Sequence, residues 1–209
     1  MGSGGREDKR LYGSYFLFYL FVVAVLYLYF SDFSLTLKWR PLARAIFTAL
    51  GVSFLFILAV KKYLWKLRWF RAIFGIQIPY IHGRWEGHIR SSYTKHKEYH
   101  PVVVEFSQDL DRINVWYYDE NAITYSLLAD FSLEPEGGPP RLFCVYRNQP
   151  LKTDQKRRQL HDGVMQLLVD PSGTKIAGIY YNNPHQRTTY GEIELKFVGR
   201  KLLRKFANQ

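Results

Sequence analysis

The chain has 209 residues, with 29 Lys and Arg against 18 Asp and Glu and a formal net charge of +11. That length holds one domain of ordinary size and something more, and the charge raises nucleic acid or a membrane surface as partners. The single cysteine, Cys144, excludes an internal disulfide and a cysteine-rich metal centre and agrees with a reducing compartment.

In chain order the first element is an uncharged run over 11–30, "LYGSYFLFYLFVVAVLYLYF", about long enough to cross a bilayer as a helix. The residues after it, Phe30, Asp32 and Phe33, do not form a signal-peptidase site, so the span is expected to stay in the mature protein. A second span over 41–60, "PLARAIFTALGVSFLFILAV", starts with Pro41, which suits a first helical turn, and carries one charge, Arg44, near its start, where a long side chain can snorkel. The short connection predicts a hairpin with both ends on one side of the membrane. Gly51 and Ser53, with Ala45 and Ala49 before them, supply small residues for close helix association.

Arg6, Lys9 and Arg10 precede the first span, and Lys61, Lys62, Lys66, Arg68 and Arg71 follow the second, against Lys38 and Arg40 between the two. The positive-inside rule then places both termini in the cytoplasm. From 72 to 199 the chain holds 14 Lys and Arg against 15 Asp and Glu, so the excess charge sits beside the spans and in the tail "RKLLRKF". That distribution belongs to a membrane interface and argues against a DNA-binding face. The expected division is a transmembrane hairpin with a basic juxtamembrane segment over 1–75 and a cytosolic domain over 76–209.

Past residue 76 the pattern changes to short alternating runs, which predict strands at 82–93, 99–108, 112–118, 123–133, 141–148, 160–170, 175–183 and 188–198. Turn signals such as "EPEGGPP" and "DPSG" separate them. Eight strands in sequence, with no helix pattern between them, predict an all-β, up-and-down antiparallel barrel. In "HGRWEGHIRSSY" the residues Gly83, Trp85, Gly87, Ile89, Ser91 and Tyr93 share the inner face, with His82, Arg84, Glu86, His88 and Arg90 outside. Two glycines around a tryptophan suit a curved strand with an indole plugging one end.

Alternation continues the inner rows with Val102, Val104 and Phe106, then Ile113, Val115 and Tyr117, then Leu142, Cys144 and Tyr146. It ends with Gly163, Met165, Leu167 and Val169, then Ile176, Gly178, Tyr180 and Asn182, then Thr189, Gly191, Ile193, Leu195 and Phe197. These rows turn polar at one end, where Ser91, Tyr93, Tyr180, Asn182 and Thr189 converge on one mouth. A mouth lined by hydroxyl, amide and aromatic groups is the usual form of a small-ligand pocket. Arg187 and the loop cations Lys152, Lys156, Arg157 and Arg158 lie near it in sequence and suit phosphate. No catalytic constellation, metal site or cofactor is expected: there is no phosphate-cradling loop or nucleophile elbow, and the six histidines show no metal spacing and read as surface residues.

Two motifs on these strands, "GRWEGHIRSS" and "IAGIYYNNPHQRTTYGEIELKF", together with the hairpin, resemble the two-transmembrane, β-strand-rich effectors of bacterial cyclic-oligonucleotide anti-phage systems (CBASS). The resemblance covers nearly the whole chain. It implies an inner-membrane receptor whose cytosolic barrel binds a cyclic dinucleotide made by a partner nucleotidyltransferase, then oligomerises and disrupts the membrane. It marks Gly83, Trp85, Gly87, Gly178 and Gly191 as architectural. Ser91, Tyr180, Asn182 and Thr189 match motif positions at the mouth, with Tyr93 and Arg187 as further contributors. The rival uses of this architecture are a membrane-tethered, lipocalin-like carrier of an apolar molecule, whose deep dry cavity Trp85, Tyr117, Met165, Leu195 and Phe197 would fill, and a module that recruits a protein through exposed Trp116, Tyr125 and Val145.

Overall fold

The computed structural model describes residues 4–32, 38–120, 122–132, 138–150, 160–182 and 189–206. It divides into two compact units, Met1–Ile76 and Gln77–Gln209. In the first, helices α1 (Gly4–Phe30) and α2 (Trp39–Lys62) pack on one another. Among the described residues one helix, Trp39–Lys66, is long and apolar enough to cross a membrane, with mean hydropathy 2.1, and Tyr15–Phe30 is a shorter apolar stretch. The expected pair of spans is thus met in full by one helix. A short helix α3 (Arg68–Phe74) ends at Gly75, whose φ of 65° supplies the left-handed turn that lets the Ile76 amide reach the Arg71 carbonyl at 2.9 Å.

Within this unit Ala45, Ala49 and Ser53 are buried at a spacing of four, which is one face of α2, and Phe18 of α1 stacks on Phe56 at 4.1 Å. Gly51 lies on the exposed side with open space around it. Gly51 and Ser53, two positions apart, stand far round the helix from each other, and of the two only Ser53 belongs to the row of small buried residues.

The second unit is a closed antiparallel barrel in the order β1 to β8, with β1 (Gly83–Ser91) paired to both β2 (His100–Gln108) and β8 (Thr189–Gly199). The other strands are β3 (Ile113–Tyr118), β4 (Ala122–Ser132), β5 (Arg141–Pro150), β6 (His161–Val169) and β7 (Lys175–Asn182). The core is formed by the inward rows, among them Val102, Val104, Phe106, Leu142, Leu167, Ile193 and Leu195. A bulge between Ser126 and Leu128 breaks the alternation of β4, and the Ser126 hydroxyl there accepts a hydrogen bond from the Val115 amide at 3.0 Å.

One end of the barrel is sealed. Trp85 is fully buried, its indole N–H donates to the Ile81 carbonyl at 2.9 Å, and Phe106 and Phe197 meet its ring edgewise at 6.2 and 5.2 Å. A Cβ on Gly87 would lie 1.8 Å from the Glu194 carbonyl oxygen, so only glycine permits that approach of β1 to β8.

Arg84 departs from its expected place as an outer-face charge. It is 4% exposed and bonded at 3.1 Å to Glu105, which is fully buried, because residues 200–206 cross over this pair. Glu105 accepts from the amides of Leu203 and Arg204, and the Arg84 guanidinium donates to the carbonyls of Lys205 and Phe206 at 2.8 and 2.7 Å. The basic tail is thus a strap on β1 and β2, held through its backbone. Trp116, Tyr125 and Val145, expected to be exposed, are half-buried.

Candidate functional site

At the other end of the barrel the side chains do not meet, and a cavity of about 570 Å³ opens there. This corrects the expectation that large side chains fill the whole interior: Tyr117 and Met165 line the cavity instead of closing it. Glycines on neighbouring strands are the reason. A Cβ on Gly163 would lie 2.5 Å from the Tyr146 ring and hydroxyl, and one on Gly191 would lie 2.7 Å from those of Tyr180. Both rings therefore lie flat against bare backbone, along the wall.

Of the residues expected at the mouth, Ser91, Tyr93, Tyr180, Asn182 and Thr189 all line this cavity. Tyr93 does so from a 3-10 turn, Ser92–Thr94, at the lip and is two-thirds exposed, so it is not the last inward residue of β1. The chain turns out of the strand there because the Ser91 hydroxyl captures the Tyr93 amide at 3.2 Å. Arg187 and the cations of 151–159 lie outside the described residues.

The polar groups are tied to one another. The Thr189 hydroxyl donates to Asn182 Oδ1, and Asn182 Nδ2 lies 2.9 Å from His161 Nε2. Asn148 Nδ2 donates to the Thr124 hydroxyl oxygen at 2.8 Å. Burial raises the Tyr180 phenol above its ordinary range, against a hydrogen bond with Ser91 that favours the phenolate. Burial also raises Tyr146, with Tyr180 and Cys144 adding to the effect, and it pushes the Cys144 thiol up to about 12. At neutral pH the two phenols stay protonated and present O–H donors.

Among the lining residues that escaped the sequence expectations are four on the strands, His100, Thr124, Asn148 and His161. Three carried a usable signal, since His100, Asn148 and His161 continue the inner rows of Val102, Tyr146 and Gly163 by two residues. Thr124 carried none, because the β4 bulge defeats a count by twos. The acidic side chains of Glu98, Asp119 and Glu120 also line the cavity, and no Lys or Arg does so among the described residues.

Residues 76–197, covering the barrel almost entirely, match the family described as Cap15, cyclic dinucleotide receptor domain. The chain belongs to this family. Its barrel is a Cap15 cyclic dinucleotide receptor domain, the receptor part of a CBASS effector, and the polar-ringed cavity opens at one end of it. No curated protein matches the chain.

Proposed function

We propose that this Cap15 chain is an anti-phage effector in which a cyclic dinucleotide docks in the open end of the barrel and switches on membrane disruption by the helices. The observation that carries the reading is the cavity itself: about 570 Å³ lies within the range of roughly 300–1,000 Å³ typical of small-molecule sites, and hydroxyl, phenol, amide and imidazole groups ring it. Ser91, Tyr180, Asn182 and Thr189 hold the ligand, Tyr93 covers it from the lip, and Arg187 in the β7–β8 connection meets a phosphate. The barrel binds and performs no chemistry; a partner nucleotidyltransferase supplies the messenger.

The membrane output follows from the first unit. The two apolar helices form a hairpin in the bacterial inner membrane with both termini and the barrel in the cytoplasm, as the flanking Lys and Arg direct. One hairpin is too thin to enclose a pore, so copies associate. An outer row running from Leu128 through Val145, Val164 and Tyr181 to Tyr190 supports association through the barrel. Each residue is the cross-strand partner of the next, and Leu128, Tyr181 and Tyr190 are more than half exposed. Full-length protein in liposomes is expected to release trapped dye only when a cyclic dinucleotide is added. Release without ligand, or ligand binding with no change in permeability or oligomeric state, would contradict the mechanism.

A further inference from the structure

The polar groups of the mouth form a belt across neighbouring strands: Thr124 on β4, Asn148 on β5, His161 on β6, Asn182 on β7 and Thr189 on β8. His161 stands at its centre. It is the cross-strand partner of Asn148, and its Nε2 lies 2.9 Å from Asn182 Nδ2. The function proposed above gives this imidazole no part, although it lines the cavity and touches one of the ligand residues.

Its contacts set its protonation state. The Asn182 oxygen is engaged by the Thr189 hydroxyl, so the amide turns its nitrogen to the ring. An amide nitrogen only donates, and the Nε2 that faces it must accept; the ring is therefore neutral, with its proton on Nδ1. A cyclic dinucleotide carries two phosphodiester negative charges, and the cavity it enters is already lined by the carboxylates of Glu98, Asp119 and Glu120. Nearby negative charge favours the protonated form of any titratable group. Near neutral pH the imidazole is the side chain that responds, because the phenols of Tyr117, Tyr146 and Tyr180 stay protonated and carboxylates take up protons at more acidic pH.

The two histidines among the described lining residues are not equivalent. His100 Nε2 lies 3.6 Å from a Glu98 carboxylate oxygen, so a proton on that ring is countered before any ligand arrives. His161 instead faces an amide donor, and the charged groups beside it, Asp162 on its own strand and Arg147 on β5, pair with one another at 2.8 Å and offset each other.

Resting on the proposed function, we infer that His161 is a further ligand residue that answers the messenger's charge: its Nε2 takes a proton from solvent as a phosphodiester enters, so binding is coupled to proton uptake. The new Nε2–H can only donate, so the Asn182 amide turns over and presents its oxygen to the ring. The Asn182 nitrogen then donates to the Thr189 oxygen, and the Thr189 hydroxyl hydrogen, no longer held by Asn182, is released toward the ligand. One proton gained converts a belt that satisfies itself into one that offers donors to an anion.

The test is calorimetric titration of the full chain in detergent, using whichever of cyclic di-AMP, cyclic di-GMP and cyclic di-UMP wild type binds most tightly. Titrations at pH 7 in phosphate and in Tris, whose heats of ionisation differ, count the protons exchanged. Wild type is expected to take up about half a proton at pH 7 and to gain about tenfold in affinity from pH 8 to pH 6. His161→Gln removes both effects, and His100→Gln keeps most of each. Where His161→Gln fails to fold, nitrogen NMR of wild type with ring-labelled histidine decides, because one imidazole should pass from the neutral Nδ1–H form to the cation when ligand is added. Binding by wild type with no proton uptake, uptake that survives in a folded His161→Gln variant, or ring signals unchanged by ligand would overturn the inference while leaving the pocket assignment standing. No binding of any of the three by wild type would overturn the proposed function, and this inference with it.

Discussion

At one end of the barrel Ile81, Trp85, Phe106 and Phe197 pack with no space between them; at the other, Tyr117, Tyr146, Met165 and Tyr180 surround an open cavity. Both ends are built from the same inward-facing rows and both contain large aromatic side chains, so hydrophobicity and size do not distinguish them. The placement of glycine does. At the sealed end glycine lets backbones approach, and the indole projects across the axis with its N–H satisfied at Ile81. At the mouth Gly163 and Gly191 lie beneath the tyrosines, which rest on the wall and leave the axis free. The lesson is that a barrel of fixed strand number acquires a pocket by where its rings can lie down.

The largest expected effects test the sealed end. Trp85→Ala is predicted to cost about 3–5 kcal/mol of stability, the range for deleting a buried aromatic. Glu105→Ala is predicted to cost a similar amount, because it strands the Arg84 guanidinium in a buried site and releases the strap. Denaturant unfolding of the barrel measures both, and limited proteolysis should cut the tail of the Glu105 variant first. A loss below about 1 kcal/mol in either would mean that this end is not what holds the barrel together.

A smaller effect sharpens the contrast at the mouth. Gly191→Ala places a methyl group against the Tyr180 ring and the Arg90 carbonyl, and over-packing of this kind costs about 1–3 kcal/mol. The ring must swing toward the axis, so messenger affinity should fall more than stability does. Normal affinity in a folded Gly191→Ala variant would refute the role given to the glycines.

The smallest effect at neutral pH concerns Cys144, between the two ends. Its thiol ionises near 9 in the unfolded chain and near 12 in the barrel, so above pH 9 the unfolded state loses its proton first. Stability that is complete below pH 9 is therefore lost as pH rises toward 12, with the raised phenols of Tyr146 and Tyr180 adding to the loss above about 10. Melting temperature followed from pH 8 to 11 should decline, and the decline should be shallower in Cys144→Ala. An equal slope in the variant would show that the thiol is not so deeply desolvated.

The eight strands were legible because each alternates cleanly and is closed off by turn residues; observed and expected limits differ by one or two residues, the scatter of strand ends. The plug was legible in Gly83, Trp85 and Gly87. What the sequence hid was contact between residues far apart. Arg84 reads as an outer charge until a tail more than a hundred residues later covers it, and the cavity is invisible because its volume depends on which glycine lies under which tyrosine. Thr124 was hidden by a bulge, a backbone event that no residue type in "AITYSLLADFS" announces.

The central claim is that the open end, built of fixed polar groups, receives the messenger. Titration of full-length wild type, Asn182→Ala and Thr189→Val with whichever of a panel of cyclic dinucleotides wild type binds most tightly, with melting temperature recorded on the same samples, tests it most directly. A hydrogen bond to a charged ligand group contributes about 1.5–3 kcal/mol, so each variant should lose roughly ten- to a hundredfold in affinity while melting close to wild type. Wild-type affinity in both variants would contradict the account.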